Sequence, residues 1–369
     1  MKSTSLLALA LAVLLFSCAD NTDIDPDAPK AFTVPATYNF ANADYKESAS
    51  RISMWQGLQT YLGRSSTRVL SADTVNYLWN NTNKAFTSEL ASNVPFVASE
   101  LNGLNYNLAS KVADAAMFKT WADSMVFISQ FNKKAASKGI PGKIGIRLFN
   151  RNGLEYNQVV AKGLMGALST NNINAILDKI PSDKNTAATD GKATDMERNW
   201  DLAFGYVGIP ADYNPAFDYR AAPVKADRPL ALGGYFAERG KYIESGGKIF
   251  EAFKTGRAAI TAKDYAARDQ AIATIKEYLE KTLAASVYYY VTAPQSQTGL
   301  DNKFHSLSEG AGFAAALKYR PANSKLTATN HQKLVDILNS SYYTLAEDAS
   351  NTRLKEAQAI LTQAYGRLM

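Results

Sequence analysis

In Val112-Ala113-Asp114-Ala115-Ala116-Met117-Phe118-Lys119-Thr120-Trp121-Ala122-Asp123-Ser124-Met125-Val126-Phe127-Ile128-Ser129-Gln130-Phe131 the apolar residues recur at intervals of three and four. Val112, Ala115, Ala116, Phe118 and Trp121, followed by Met125, Ile128 and Phe131, line one side of an α-helix at that spacing. Ile52, Trp55, Leu58 and Leu62 repeat the pattern upstream. Asp73 to Trp79 follows Ser71-Ala72-Asp73-Thr74, an N-cap signature. Leu154 to Leu168 is periodic although punctuated by glycine, and Asn171 to Ile180 is stopped by Pro181. Strand signals are too few and too short to build a sheet, so the expected fold is all-α, a helical bundle protein.

Pro181 to Asp195 is polar, rich in Ala, Thr and Asp, and without apolar periodicity, which makes it the clearest internal break. Two helical halves, 45–180 and 195–369, are expected, packed as two bundles. The second contains Met196 to Tyr206, a Pro- and Gly-rich passage from Pro210 to Gly240, then Lys248 to Ile260, Asp264 to Tyr290, His305 to Tyr319, and Thr329 to Met369 broken near Asn339. No fixed-period repeat marks a solenoid.

Cys18 is the single cysteine of the chain and ends an eleven-residue apolar run, Leu6 to Phe16. Leu15-Phe16-Ser17-Cys18, preceded by Lys2, reads as a lipoprotein signal peptide over residues 1–17, and its apolar run is too short to span a bilayer. Cys18 is then the lipidation site. The membrane becomes a partner through the lipid anchor, and the cell envelope, at the outer membrane, becomes the expected location. An acylated Cys18 leaves no thiol for catalysis or a disulfide, so the fold must hold by packing. Residues 18–37, with Asp20, Asp23, Asp25 and Asp27 among Pro26, Pro29 and Pro35, are expected to form a disordered acidic tether.

About 350 residues remain after such a signal, enough for a substantial core. The formal charge of +6 is spread along helices with acids between the cations. No basic block of the kind nucleic acid requires stands out, and no nucleic-acid partner is expected.

Two histidines, His305 and His331, exclude a three-histidine zinc site, and no His-Glu-x-x-His pair occurs. His305 and Glu309 stand at i and i+4, so both leave one helical face. They can share a divalent cation, or form a plain hydrogen-bonded pair around a structural histidine. Glu197 and Asp201 repeat the spacing, with Trp200 beside them. Two close carboxylates repel unless a cation or an arginine lies between them. Arg257 is the candidate counter-charge, with Trp200 as a cleft residue. The alternative is a metal held by Glu197, Asp201, His305 and Glu309, an oxygen-rich set that suits iron, manganese or calcium. No catalytic residue is assigned. Tyr288-Tyr289-Tyr290 and Tyr342-Tyr343 read as core and rim, and Gly163 and Gly166 as a close helix approach. P-loop, dinucleotide and Gly-x-Ser-x-Gly signatures are missing from the sequence.

Tyr38-Asn39-Phe40, Lys162-Gly163-Leu164-Met165-Gly166-Ala167, Met196-Glu197 with Trp200-Asp201 and Ala203-Phe204-Gly205-Tyr206, Ala252-Phe253 with Gly256-Arg257-Ala258-Ala259-Ile260, and His305 with Ser308-Glu309-Gly310 occur in that order. Together they resemble the domain-of-unknown-function 4856 family of bacterial envelope lipoproteins over nearly the whole mature chain. That family is similar to the imelysin-like proteins, which are all-helical, built of two bundles and associated with iron acquisition. The resemblance implies a divalent metal, iron first, as cofactor and envelope uptake proteins as partners. The imelysin signature Gly-x-His-x-x-Glu is not reproduced: Glu309 falls one residue late and no glycine stands two before His305.

Three functions follow as expectations. The first is a lipid-anchored, non-catalytic protein binding a metal ion or metal complex. The second is a glycan- or partner-binding scaffold of an outer-membrane uptake system. The third is a metal-dependent, peptidase-like hydrolase with Glu309 as base.

Overall fold

The computed structural model describes residues 29–187, 189, 191–219 and 228–369. Residues 1–17 and Cys18 lie outside the described residues. The described chain is all-α apart from one hairpin. In order, the helices are α1 (Lys46–Gly63), α2 (Ala72–Asn80), α3 (Ala98–Gly103), α4 (Ala115–Ser129), α5 (Tyr156–Leu164), α6 (Asn171–Lys179), α7 (Asp195–Gly205), α8 (Ala231–Glu238), α9 (Ser245–Thr261), α10 (Tyr265–Thr292), α11 (Leu300–Ala316), α12 (Ala328–Leu338), α13 (Tyr342–Glu347) and α14 (Thr352–Tyr365). Between α4 and α5 the strands β1 (Gly142–Ile144) and β2 (Arg147–Phe149) pair antiparallel.

Local chemistry sets several of these boundaries. The Ser71 hydroxyl accepts the Thr74 N–H and caps α2, as its position before the periodic run predicts. The helix read over Leu154–Leu168 starts at Tyr156 and changes at Met165 into a π-helical turn, Met165–Thr170. Six consecutive buried residues lie in that turn. Gly166 there rests on the backbone of Ala316, where a Cβ would come within 2.4 Å of the Ala316 Cα. Gly166 thus lets the extension of α5 lie against the end of α11, while Gly163 gives room to Phe118 and Trp121 of α4.

Helices on either side of 181–195 pack on one another. α5 lies against α11 more extensively than against any other helix, and α1 meets α7, both across that break. One contiguous apolar core runs from Tyr38 to Leu368. At the usual 25 cal/mol per Å² of apolar surface, a shared core of this kind makes the two halves interdependent.

Of the expected tether, 18–37, the described residues are 29–37. Residues 29–37 are held to the body: the Lys30 N–H donates to the Ala262 carbonyl at 2.8 Å and Lys254 Nζ donates to the Ala36 carbonyl at 3.1 Å. Tyr38 then enters the core, stacked on Phe204 at 3.7 Å. The acidic composition that signals disorder ends at Asp27, and the residues from Pro29 to Thr37 that follow carry no acid.

Candidate functional site

α7 and α9 face one another through a buried ionic cluster. Thr194-Asp195-Met196-Glu197 is a capping box: Thr194 Oγ1 accepts the Glu197 N–H at 3.1 Å, and Glu197 Oε2 accepts the Thr194 N–H at 2.9 Å. With one oxygen committed to the cap, Glu197 turns the other to α9. There Arg257 Nη1 donates to Glu197 Oε1 at 2.6 Å, and Arg257 Nε donates to Asp201 Oδ1 at 3.0 Å. Thr261 Oγ1 donates to Glu197 Oε1 at 2.7 Å. The Tyr38 hydroxyl donates to Asp201 Oδ1 at 2.7 Å, which ties the N-terminal arm to the same carboxylate. Trp200 lies against Gly256, where a Cβ would stand 2.1 Å from the Trp200 Cζ2, and its Nε1 donates to the Phe253 carbonyl. Only glycine permits that approach.

One guanidinium serving two acids leaves them unequal. Burial pushes Glu197 up, but the Thr194 N–H, the Thr261 hydroxyl and Arg257 outweigh it and hold the carboxyl below its ordinary value. Asp201 is fully inaccessible and its Oδ2 has no hydrogen-bond donor, so burial dominates and raises it from 3.8 to about 6 in spite of Arg257 and Tyr38.

A second network joins α5 to α11. Glu155, at the N-terminus of α5, meets His305 Nδ1 at 2.6 Å, and Arg147 Nη1 from β2 stands 2.7 Å from the same nitrogen. Nδ1 can donate to the carboxylate or accept from the guanidinium, but not both at once. His305 Nε2 is 3.9 Å from Glu309 Oε2, and Lys162 Nζ pairs with Glu309 Oε1 at 3.0 Å. Burial raises Glu309, yet Lys162, His305 and the Tyr290 hydroxyl together bring it below the ordinary carboxylate value.

The four residues expected to share a metal are therefore divided. Glu197 and Asp201 are both paired with Arg257, the counter-charge that the i, i+4 spacing called for. His305 and Glu309 instead belong with Glu155, Arg147 and Lys162. Among the described residues no three His, Cys, Asp or Glu side chains are disposed to hold a metal ion. The helical spacing brought each pair together correctly but said nothing about which partner helix would face it. The capping box Thr-x-x-Glu was present in the sequence and identifies Glu197's second duty. Nothing local points to Glu155, Arg147 or Lys162, whose roles arise from the α5–α11 crossing.

Neither network lines the groove formed by α8, α9 and α10. That groove, of about 1130 Å³, runs beside α9 between α8, the start of α10 and the residues around Tyr213 to Asp218. Tyr213, Phe217 and Phe236 give it aromatic walls, and Tyr213 is stacked on Tyr219 at 5.6 Å. Lys241, Lys248, Glu244 and Glu251 alternate in sign along it. Arg239 connects the groove to the second network: its guanidinium lies flat on Tyr289 at 3.4 Å, and its Nη2 donates to the Tyr290 hydroxyl at 3.3 Å. Of the tyrosine clusters, Tyr290 and Tyr342 are core residues while Tyr288 and Tyr289 are half-buried.

No helix among the described residues is long and apolar enough to cross a membrane. No curated protein and no solved structure matches the chain. A family profile described as a domain of unknown function matches residues 35–366, from the last docked residues of the N-terminal arm to the end of α14. The chain belongs to that family, DUF4856.

Proposed function

We propose that this is a non-catalytic binding protein, tethered to the cell envelope through an acylated Cys18, that captures a neutral polyhydroxylated ligand in the groove beside α9. By chemistry such a ligand is a glycan, and capture on an outer membrane would serve uptake. The observation that carries the reading is the groove itself: about 1130 Å³, aromatic walls, and charges of both signs set alternately along its rim. A sugar ring presents an apolar C–H face that stacks on Tyr213 or Phe217, and hydroxyls that both donate and accept. A rim of one sign would select an ion, whereas Arg239, Lys241 and Lys248 among Asp218, Glu238, Glu244 and Glu251 offer both donors and acceptors. A divalent cation, iron included, forms no part of this reading, because the carboxylates expected to bind one are already paired with Arg257 and Lys162.

Titration calorimetry with a panel of neutral oligosaccharides tests it. Phe217→Ala and Lys248→Ala change exposed side chains of the groove and leave the core alone. Each should weaken binding by about tenfold. Failure of every panel member to bind, or binding indifferent to both changes, would remove the groove from the function.

A further inference from the structure

The interleaving of charges that holds along many of the helices breaks down most strongly around the hairpin. Between Asp123 and Glu155 the chain carries Lys133, Lys134, Lys138, Lys143, Arg147 and Arg151 and not one acid. The structure gathers this stretch into a single unit around the hairpin. Lys143 N–H donates to the Lys134 carbonyl at 2.7 Å, Ala136 N–H to the Lys143 carbonyl at 2.9 Å, and Gly139 N–H to the Arg151 carbonyl at 2.9 Å. Lys134 Nζ stands over the Phe131 ring at 5.2 Å, and Phe131 meets Phe127 edge-on at 5.6 Å.

This unit also holds several of the protein's most exposed apolar side chains. Ile146 is 77 % exposed, Phe127 58 % and Ile140 53 %. Ile146 owes its position to the turn: the register Ile144↔Arg147 leaves a two-residue loop, and Gly145 at its first position has φ +60. That is the II′ geometry, which demands glycine first and puts the second residue at the tip. An isoleucine at a hairpin tip has no packing role, and a polar residue would satisfy the turn equally well. The nearby acids are few: Glu347 pairs with Lys138, Asp301 lies beside Gly145, and Glu155 meets the His305 nitrogen that Arg147 also approaches.

We propose that the β1–β2 hairpin and the adjoining end of α4 form a docking surface for an anionic lipid membrane, with Ile146, Ile140 and Phe127 entering the interface and the lysines meeting the headgroups. Charge complementarity selects the occupant. A surface rich in cations with protruding aliphatic and aromatic tips matches the interface of an acidic bilayer, which rewards both. A protein partner would ask for a recessed or flat apolar patch, and a soluble polyanion would make no use of Ile146 and Phe127. The contact would hold the folded body against the membrane in a fixed orientation, independently of whether Cys18 is acylated.

The test places an environment-sensitive nitrobenzoxadiazole label on Ile146→Cys in the full-length chain carrying Cys18→Ser. The same label on Tyr242→Cys, an exposed residue of another surface, is the control. Phosphatidylglycerol-rich vesicles should shift the emission at position 146 to the blue and expose it to lipid-borne quenchers, with no change at 242. Pure phosphatidylcholine vesicles should produce a response smaller by about tenfold. Lys133→Gln with Lys134→Gln should raise the vesicle concentration needed for the half-maximal shift several-fold, while the circular dichroism spectrum stays that of the parent. Because the signal is read at the hairpin, insertion of the N-terminal apolar run does not imitate it. An unchanged spectrum at 146 with both vesicle types overturns the proposal. So does an equal response to both vesicle types, or a shift given by a soluble anionic polysaccharide but by neither membrane.

Discussion

Asp201→Asn isolates the cost of keeping a carboxylate in the α7–α9 interface. Asp201 is inaccessible, shares Arg257 with Glu197, and has one oxygen without a donor. Burial raises it from 3.8 to about 6. Between those two values the folded protein holds a proton that the unfolded chain has released, so stability falls as pH rises through this window. At roughly 1.4 kcal/mol per pH unit, the separation amounts to about 3 kcal/mol lost by the time Asp201 is fully ionised. Asparagine keeps the acceptor for Tyr38 and Arg257 Nε but cannot titrate.

Urea unfolding followed by tryptophan fluorescence, with Trp200 inside the cluster, measures the stability of both proteins between about pH 4 and pH 7.5. The variant should gain on the parent as pH rises, by about 3 kcal/mol across the range. Glu197 and Glu309 work in the opposite direction. Their folded carboxyls are held below the ordinary value, so their contribution is full above it and is lost as pH falls. Being common to both proteins and titrating lower, they largely cancel in the difference. A parent–variant difference that is flat with pH, or that favours the parent increasingly toward neutrality, would refute the claim that desolvation outweighs Arg257 at Asp201.

The remaining predictions concern packing and the second network. Gly256→Ala should destabilise by about 1–3 kcal/mol, because its Cβ would overlap the buried Trp200 ring, whereas Gly247→Ala, whose nearest neighbour would be 3.7 Å away, should leave the thermal midpoint almost unchanged. Lys162→Met should cost about 3–5 kcal/mol by stranding the buried Glu309, and adding Glu309→Gln should restore much of it, as a double-mutant cycle in chemical denaturation will read.

What the sequence made legible follows the range of the forces involved. Helices α2, α7, α9 and α10 are set by spacing and caps within a few residues, and Ile52, Leu58, Phe118 and Met125 fall in the core that their periodicity assigns. The pairing of Glu197 with Asp201, and of His305 with Glu309, is also local. What each pair meets is not: Arg257 lies 60 residues from Glu197 and Glu155 lies 150 from His305. The contacts made across 181–195 are long-range in the same way. A polar stretch records where the chain leaves the core, and not which helices it rejoins. The hairpin turn was readable in Ile144-Gly145-Ile146, but strands of three residues carry no usable alternation.

The two buried networks sit on the helix pairs that define the architecture, α7 with α9 and α5 with α11. A guanidinium between two desolvated carboxylates contributes less stability than an apolar set of equal volume, but it tolerates only one register of the helices that carry it. The Asp201 pairing extends this to the N-terminal arm, since Tyr38 reaches the same oxygen that Arg257 holds. These charges tie α7, α9 and the N-terminal arm into one buried cluster. Neither network lines the groove beside α9. Both proposed contacts lie on surfaces the core does not use. The groove beside α9 offers aromatic rings with mixed charge, the hairpin offers isoleucines among lysines, and both expose side chains that cost stability unless something covers them.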